Sequence, residues 1–519
     1  MKALGKWTAL ACAVALGCAD NGGSGAGTAS NGGNGTDNVT DPVGGNGGNG
    51  GGGANGGSAG NGGDDGGAEN GGGSEGGNGA PPLSGECGGK AKANVAGPAP
   101  KFTRQEVSTI PGSAYMRPAD LDADGFPEML LTSLAVGPDI FGAIPGLGGS
   151  PLKDGAAYVL KREGGAPMGT LGTWKTTEVF GESAKVSWPN ESEHFDVDGD
   201  GIGDWMIGAG FLLKPAASIV WMKGAANGTF GRPNFVPIPD KACWYHSTLP
   251  VDMDGDGDND FVTSCHVGTT QNVAGPSRME WYENDGKGTF TLHEIGDGGG
   301  AIIHLRDLDE DGDQDIIAPQ YFGPESIVWF EQTGEKGTAW KKHLINNTTG
   351  AGFIARFADM NGDGRIDMVY GNHNNQKDAP PKDVMGIYWF EIPGKDEIRT
   401  LESWDAGMHT VYEGFDVPGA AGQAGAPGML NVGDIDGDCD IDITASGDGD
   451  RGLYLFVQQD GKFDKVDLFV DNSNENSGEQ HMLDLDGDGD LDILWAVFGP
   501  GGPGAALGLD SHIYAFLQN

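Results

Sequence analysis

Asp307-Leu308-Asp309-Glu310-Asp311-Gly312-Asp313-Gln314-Asp315-Ile316-Ile317-Ala318 sets acids at alternate positions, inserts a glycine, and runs into an apolar β-branched stretch. Carboxylates at positions 1, 3 and 5 of such a loop turn inward around a hard cation of calcium's size. Glycine at position 6 permits the sharp bend, the carbonyl of position 7 adds an oxygen, and the acid at position 9 can supply two more.

The same pattern, D-x-[DN]-x-D-G-x-x-[DE], begins at Asp120, Asp196, Asp252, Asp307, Asp359, Asp434 and Asp484, with Cys439 once replacing the glycine. The expected side-chain ligands are Asp120, Asp122, Asp124 and Glu128 in the first loop, and Asp196, Asp198, Asp200 and Asp204 in the second. The third and fourth loops offer Asp252, Asp254, Asp256 and Asp260, then Asp307, Asp309, Asp311 and Asp315. The fifth and sixth offer Asp359, Asn361, Asp363 and Asp367, then Asp434, Asp436, Asp438 and Asp442. The seventh offers Asp484, Asp486, Asp488 and Asp492, so up to seven Ca2+ ions are expected. Pro127 beside Glu128, and Cys439 at the bend, mark the first and sixth loops as the weakest binders.

Around each loop the surroundings repeat. An apolar run precedes it (Ala301-Ile302-Ile303-His304-Leu305), a strand-like run follows (Asp315-Ile316-Ile317-Ala318), and a third alternates aromatics (Ile327-Val328-Trp329-Phe330). A fourth, such as Thr289 to Ile295, closes the unit. Four short strands in a repeat of about 50 residues with two-residue alternation describe a propeller blade. The seventh unit stops after its third strand, His512 to Phe516, while an extra strand-like segment, Phe102 to Val107, precedes the first loop. An N-terminal strand completing the last blade would close the ring without a seam. The fold expected for residues 101–519 is therefore all-β, a seven-bladed β-propeller of four-stranded antiparallel blades.

These loops, with runs such as Asp359-Met360-Asn361-Gly362-Asp363-Gly364 and Asp484-Leu485-Asp486-Gly487-Asp488-Gly489, resemble FG-GAP/VCBS repeats, which build integrin-α-like propellers. The resemblance implies calcium in the loop between the first two strands of each blade. It implies little about activity, because the fold hosts adhesion modules, lectins and polysaccharide-cleaving enzymes. An EF-hand is excluded: position 12 is Leu131, Ile207, Thr263, Ala318, Tyr370, Ala445 and Trp495, never Glu, and the flanks are strand-like. Seven copies in one phase argue against plain Asp-Gly turns, and magnesium's tight octahedron suits the loops less well.

Composition agrees with cation binding. The chain of 519 residues has 75 acidic against 31 basic residues, a net charge of −44, and 96 glycines. Divalent cations offset such self-repulsion, and no basic stripe exists to bind nucleic acid or anionic lipid by charge. Residues 1–18 read as an export signal: Lys2 and Lys6, an apolar run from Trp7, then Ala15-Leu16-Gly17-Cys18. This end resembles the lipobox of bacterial lipoproteins, which implies lipidation of Cys18, although Ala15 departs from the usual Leu; Ala15-x-Gly17 also fits plain signal cleavage. Residues 19–100 form a Gly/Asn-rich linker expected to be disordered, spanning roughly 45 Å as a flexible coil. The expected location is an exported lipoprotein of the bacterial outer membrane or cell surface, a monomer touching membrane through its anchor only. Cys243 and Cys265 flank one loop as a candidate disulfide, and Cys87 with Cys439 follows only by elimination.

No catalytic residue is assigned. Ligands are expected on the face opposite the acidic loops, with an extracellular protein or glycan as partner. The rival reading is a carbohydrate-active enzyme, a lyase or hydrolase, or a lectin, with Glu402, Asp405 and Glu413 as candidate acids in an interblade stretch from Trp404 to Gly428. A polar ring of Arg117, Glu193, His304, Arg356, Asn431 and His481, with Leu249, is expected to line the central channel.

Overall fold

A computed structural model describes residues 99–134, 154–164, 167–211, 214–239, 241–267, 277–321, 325–374, 385–415, 426–448, 452–470, 475–500 and 511–519. The expected export signal, Cys18, the linker up to residue 98 and Cys87 lie outside them. So do most of the long links from second to third strands.

Two-residue alternation between apolar and polar side chains folds each repeat into a meander of antiparallel strands. Blade 1 comprises Ser113–Ala119, Glu128–Ser133, Ala156–Arg162 and Trp174–Phe180. Blade 2 comprises Pro189–Phe195, Asp204–Phe211, Lys214–Met222 and the short Asn234–Phe235, with a hairpin of Gly224–Ala225 and Thr229–Phe230 inserted before its fourth strand. Blade 3 runs through Trp244–Val251, Asp260–His266, Arg278–Asn284 and Phe290–Asp297. Blade 4 runs through His304–Arg306, Asp315–Pro319, Ile327–Gly334 and Ala339–Asn346. Blade 5 has Ala351–Ala358, Asp367–Asn374, Gly386–Phe390 and Met408–Glu413; blade 6 has Ala426–Gly433, Asp442–Asp448, Gly452–Gln459 and Lys462–Val470.

Blade 7 takes Glu475–Leu483, Asp492–Pro500 and His512–Gln518 from the C-terminus and its outer strand, Phe102–Ser108, from the N-terminal side. Phe102 pairs with Gln518 and Glu106 with Tyr514, so the expected closure and the seven-bladed all-β fold are both present. The first strands of neighbouring blades pack on one another in blades 1 to 3 and 5 to 7 and between blades 7 and 1, which puts them at the axis.

Packing confirms the ring. Seven separate apolar layers lie one between each pair of neighbouring blades, including one between blades 7 and 1 built from Leu485, Leu494 and Ile513 against Met116, Met129 and Leu160. The third-strand tryptophans belong to these layers: Trp221, Trp281, Trp329 and Trp389 are all buried. Trp221 of blade 2 lies against Gly288 of blade 3, and Trp281 of blade 3 against Gly337 of blade 4. Both glycines have positive φ (81° and 64°), and a Cβ at Gly288 would collide with the Trp221 indole, while one at Gly337 would collide with Met253 beside the Trp281 indole. The tryptophans are thus interblade core, as their recurrence implies.

Cys243 and Cys265 are bridged, with Cα atoms 4.8 Å apart, at the rim of blade 3 opposite its acidic loop. Cys439 is likewise disulfide-bonded.

Removing Phe102–Ser108 should expose the edge of His512–Gln518 and cost on the order of 5 kcal/mol in ladder hydrogen bonds alone. A chain starting at Thr109 is expected to melt lower and to self-associate in sizing chromatography. An unchanged melting curve would contradict strand-mediated closure.

Candidate metal centre

Each acidic loop joins the first strand of a blade to the second, and all seven adopt one hydrogen-bonded form. The position-1 carboxylate accepts the N–H of position 6 at 2.7 to 3.2 Å. The position-5 carboxylate accepts the N–H of position 7 at 2.9 to 3.1 Å. The acid at position 9 accepts the N–H of position 2 at 2.8 to 3.1 Å.

Position 9 does more than face the loop. In Asp204, Asp260, Asp315, Asp442 and Asp492 the other oxygen accepts a backbone N–H from the end of the third strand, or just beyond it, at 2.7 to 2.9 Å. These carboxylates are at most 1% exposed, as is Asp367. Burial, with neighbouring loop carboxylates adding to it, pushes Asp260, Asp367 and Asp492 up to about 7 and Asp315 to about 8. Asp442 is driven well above the usual carboxylate range, and Asp204 and Glu128 are raised.

The loops gather acids that repel one another. In the first, second, third and sixth loops an oxygen from each of positions 1, 3 and 9 lies within 4.8 Å of the others. In the fourth, oxygens of Asp307, Asp309 and Asp311 do so. Asp198, Asp309 and Asp434 each keep a buried Oδ1 without a hydrogen-bond partner. Converging oxygens, orphaned inward lone pairs and raised carboxyls are what an oxygen-ligated divalent cation would satisfy. The donor set therefore fits calcium.

Two features of the loops were not read from the sequence. Position 4 is left-handed in all seven: Gly199, Gly255, Gly362, Gly437 and Gly487 have φ of 71° to 82°, while Ala123 and Glu310 adopt 58°. Glycine at five of seven equivalent positions was the available signal. At position 6, Cys439 has φ 80° and its N–H still reaches Asp434 at 3.0 Å. The sixth bend is thus the same as the others, held with left-handed strain on a side chain.

The second feature is a cross-strand motif in blades 3, 4 and 5. Third-strand Trp281, Trp329 and Trp389 stack on fourth-strand His293, His343 and His409, with ring centroids 4.2, 4.6 and 4.0 Å apart. Each histidine also hydrogen-bonds the glutamate two residues after the tryptophan, at 2.7 Å for His293–Glu283 and 3.0 Å for His409–Glu391. His343 contacts Glu331 in the same way. The spacing W-x-E followed by a histidine was visible but carried no meaning without the strand register.

At the axis the expected polar ring is an interlocked network. Arg117 of blade 1 pairs with Glu193 of blade 2, and Arg356 of blade 5 lies 3.8 Å from Glu479 of blade 7. Glu479 also accepts the N–H of Met116 at 2.8 Å, and His481 contacts the Met116 carbonyl at 2.7 Å. Glu191 accepts a hydrogen bond from Ser247 and is pushed up to about 8 by burial and by Glu479. His304 packs edge-on against Phe357, and Asn431 donates to the Gln480 carbonyl. His304 and His481 therefore serve different contacts rather than forming a pair. Half-buried Tyr321 packs beside Phe353.

The candidate acids of the enzyme reading separate. Glu402 and Asp405 are exposed on a helix, Leu401–Ala406, inserted between the third and fourth strands of blade 5. In an antiparallel meander that connection shares the rim of the acidic loops, so the stretch from Trp404 is not wholly an interblade connection as expected. Glu413 sits at the far end of Met408–Glu413, accepting from the Tyr388 hydroxyl at 2.9 Å. The strand between them keeps the three acids from one groove.

Replacing Asp315 with alanine leaves the Leu308 and Gln332 N–H groups buried without their acceptor, at a cost of about 2–5 kcal/mol. The expected loss of melting temperature should persist in chelator, since it arises from backbone groups. A loss seen only with metal present would contradict this anchoring role.

Comparison with known proteins matches residues 307–370 to the FG-GAP-like repeat. No curated protein matches the sequence. Among solved structures, the chain is similar to an Agrocybe aegerita lectin described for recognition of non-reducing terminal N-acetylglucosamine (16% identity, 70% of this chain and 81% of that one, TM-score 0.41). It is also similar to a PQQ-bound aldose sugar dehydrogenase from Streptomyces coelicolor (14%, 82% and 100%, TM-score 0.36) and to the Dos1 propeller (7%, 81% and 95%, TM-score 0.44). The chain is a seven-bladed β-propeller carrying an FG-GAP-like repeat in its fourth and fifth blades.

Proposed function

We propose that this chain is an exported, surface-tethered binding or structural module whose blades are each served by a calcium loop. One observation carries the reading: seven loops of a single hydrogen-bonded form on the same rim, with three carboxylate oxygens converging within 4.8 Å in loops 1, 2, 3, 4 and 6. Calcium bound there neutralises crowded carboxylates and stabilises the native ring by mass action. The opposite rim takes the links from second to third strands and between blades, which is where a rigid scaffold usually presents recognition loops. An extracellular protein or glycan is the partner class that this face and the expected export suit.

Tethering rests on the N-terminal sequence. A lipidated Cys18 followed by a Gly/Asn-rich spacer would hold the ring off a membrane by roughly 45 Å. Among the described residues no helix is long and apolar enough to cross a membrane. The convergent acids that a glycoside-cleaving mechanism requires are not supplied by Glu402, Asp405 and Glu413, which favours binding over cleavage.

Excess chelator should lower the melting temperature substantially, and added calcium should restore it. An unchanged melt in EDTA would overturn the calcium reading. Separately, Cys18→Ser should shift the protein from the membrane to the soluble fraction and abolish labelling by a fatty-acid analogue. Retention of label would refute the anchor.

A further inference from the structure

We propose that the residue opposite the position-9 acid sets how readily each loop takes its ion, and that Lys161 and Lys223 hold the ion's place in blades 1 and 2. The inference rests on the calcium reading above and concerns its distribution around the ring.

The ladder fixes the position in every blade. The residue after position 9 pairs with a third-strand partner: Met129 with Leu160, Trp205 with Met222, Phe261 with Tyr282, and Ile316 with Phe330. Met368 pairs likewise with Phe390, Ile443 with Phe456, and Ile493 with Phe516. One residue further along the third strand stands directly across from position 9. It is Lys in blades 1 and 2, Glu in blades 3, 4 and 5, and apolar Val457 and Leu517 in blades 6 and 7.

The two lysines reach into their loops. Lys161 Nζ contacts Asp122 and lies 2.6 Å from Glu128 and 3.9 Å from Asp124. It thereby touches positions 3, 9 and 5, the oxygens a cation would collect. Lys223 Nζ contacts Asp198 and lies 2.8 Å from Asp200, positions 3 and 5 of the second loop. In blades 3 to 5 the equivalent glutamate is held by its stacked histidine and adds negative charge beside the loop. Blade 4 also has Arg399 on Asp309, but this guanidinium is shared with Glu331 at 2.5 Å and so arrives already paired. Blades 6 and 7 place no charge there.

A calcium ion entering the first or second loop must displace an ammonium and then tolerate it nearby. Repulsion between a divalent ion and a lysine a few ångströms away costs on the order of tenfold in affinity or more. The five remaining loops have no lysine at this position; Arg399 contacts Asp309 while paired to Glu331, and Arg365, more than half exposed, lies 3.0 Å from Asp363. The chain is therefore expected to carry two classes of site, five that fill readily and two that fill late.

Calcium bound per chain, measured by atomic emission after equilibrium dialysis against graded calcium, tests this. The unaltered chain should fill five sites first and the last two only at about tenfold higher calcium or more. The double variant Lys161→Met/Lys223→Met should fill seven in one phase. Glu283→Lys, which alters a different blade, should remove one site from the first phase. Seven equivalent sites in the unaltered chain would overturn the proposal, as would late sites that the lysine substitutions leave unchanged. Absence of bound calcium in every variant would instead bring down the calcium reading on which it rests.

Discussion

A buried carboxylate at the ninth position of each loop is the constraint from which the rest follows. It is desolvated, and its oxygens take N–H groups from two separate stretches, the start of the loop and, in five blades, the end of the third strand or just beyond it. An unpaired N–H in either place would be costly, so this acid fixes where the loop begins and how the sheet ends. Having done so, it holds further carboxylates close by. Burial, with those neighbouring carboxylates adding to it, raises the carboxyls of Asp260, Asp315, Asp367 and Asp492. A divalent cation would relieve the crowding without disturbing the hydrogen bonds, because each carboxylate oxygen retains a second lone pair. Loop shape and the crowding of oxygen ligands are thus products of one arrangement.

The ring depends on a different force. Seven apolar layers between blades, several of them built around third-strand aromatics, supply the non-directional part of the stability. The N-terminal strand makes the last blade equal to the others and leaves no free edge at the seam. At the axis, ion pairs bind blades that are not neighbours, as Arg356 and Glu479 do. Buried charges of this kind are tolerated only because each has a partner, and they hold the first strands in register around the centre.

Strand order, blade number and closure were legible because they depend on periodic apolar residues and on a loop motif of fixed phase. The turn carboxylates were legible for the same reason. What escaped was whatever depends on register between strands. Ser192 pairs with Ile207 and Thr248 with Thr263 only after a shift in the ladder, and no single-strand pattern reveals such a bulge. The Trp–His–Glu sets of blades 3 to 5 are likewise contacts between strands. The helix Leu401–Ala406 was misplaced because an insertion between third and fourth strands looks, in sequence, like one between blades. Lys161 and Lys223 look like ordinary surface lysines until the ladder sets them across from Glu128 and Asp204.

Repetition at the level of sequence therefore conceals difference at the level of charge. The blades share one backbone but present Lys, Glu or an apolar group to their loops, so loops of one shape differ in the charge set beside them. The most direct measurement is anomalous diffraction at long wavelength from crystals grown with calcium. Density peaks inside the loops, bounded by positions 1, 3, 5 and 9, are the predicted result. Featureless loops in crystals of the folded ring would contradict the account.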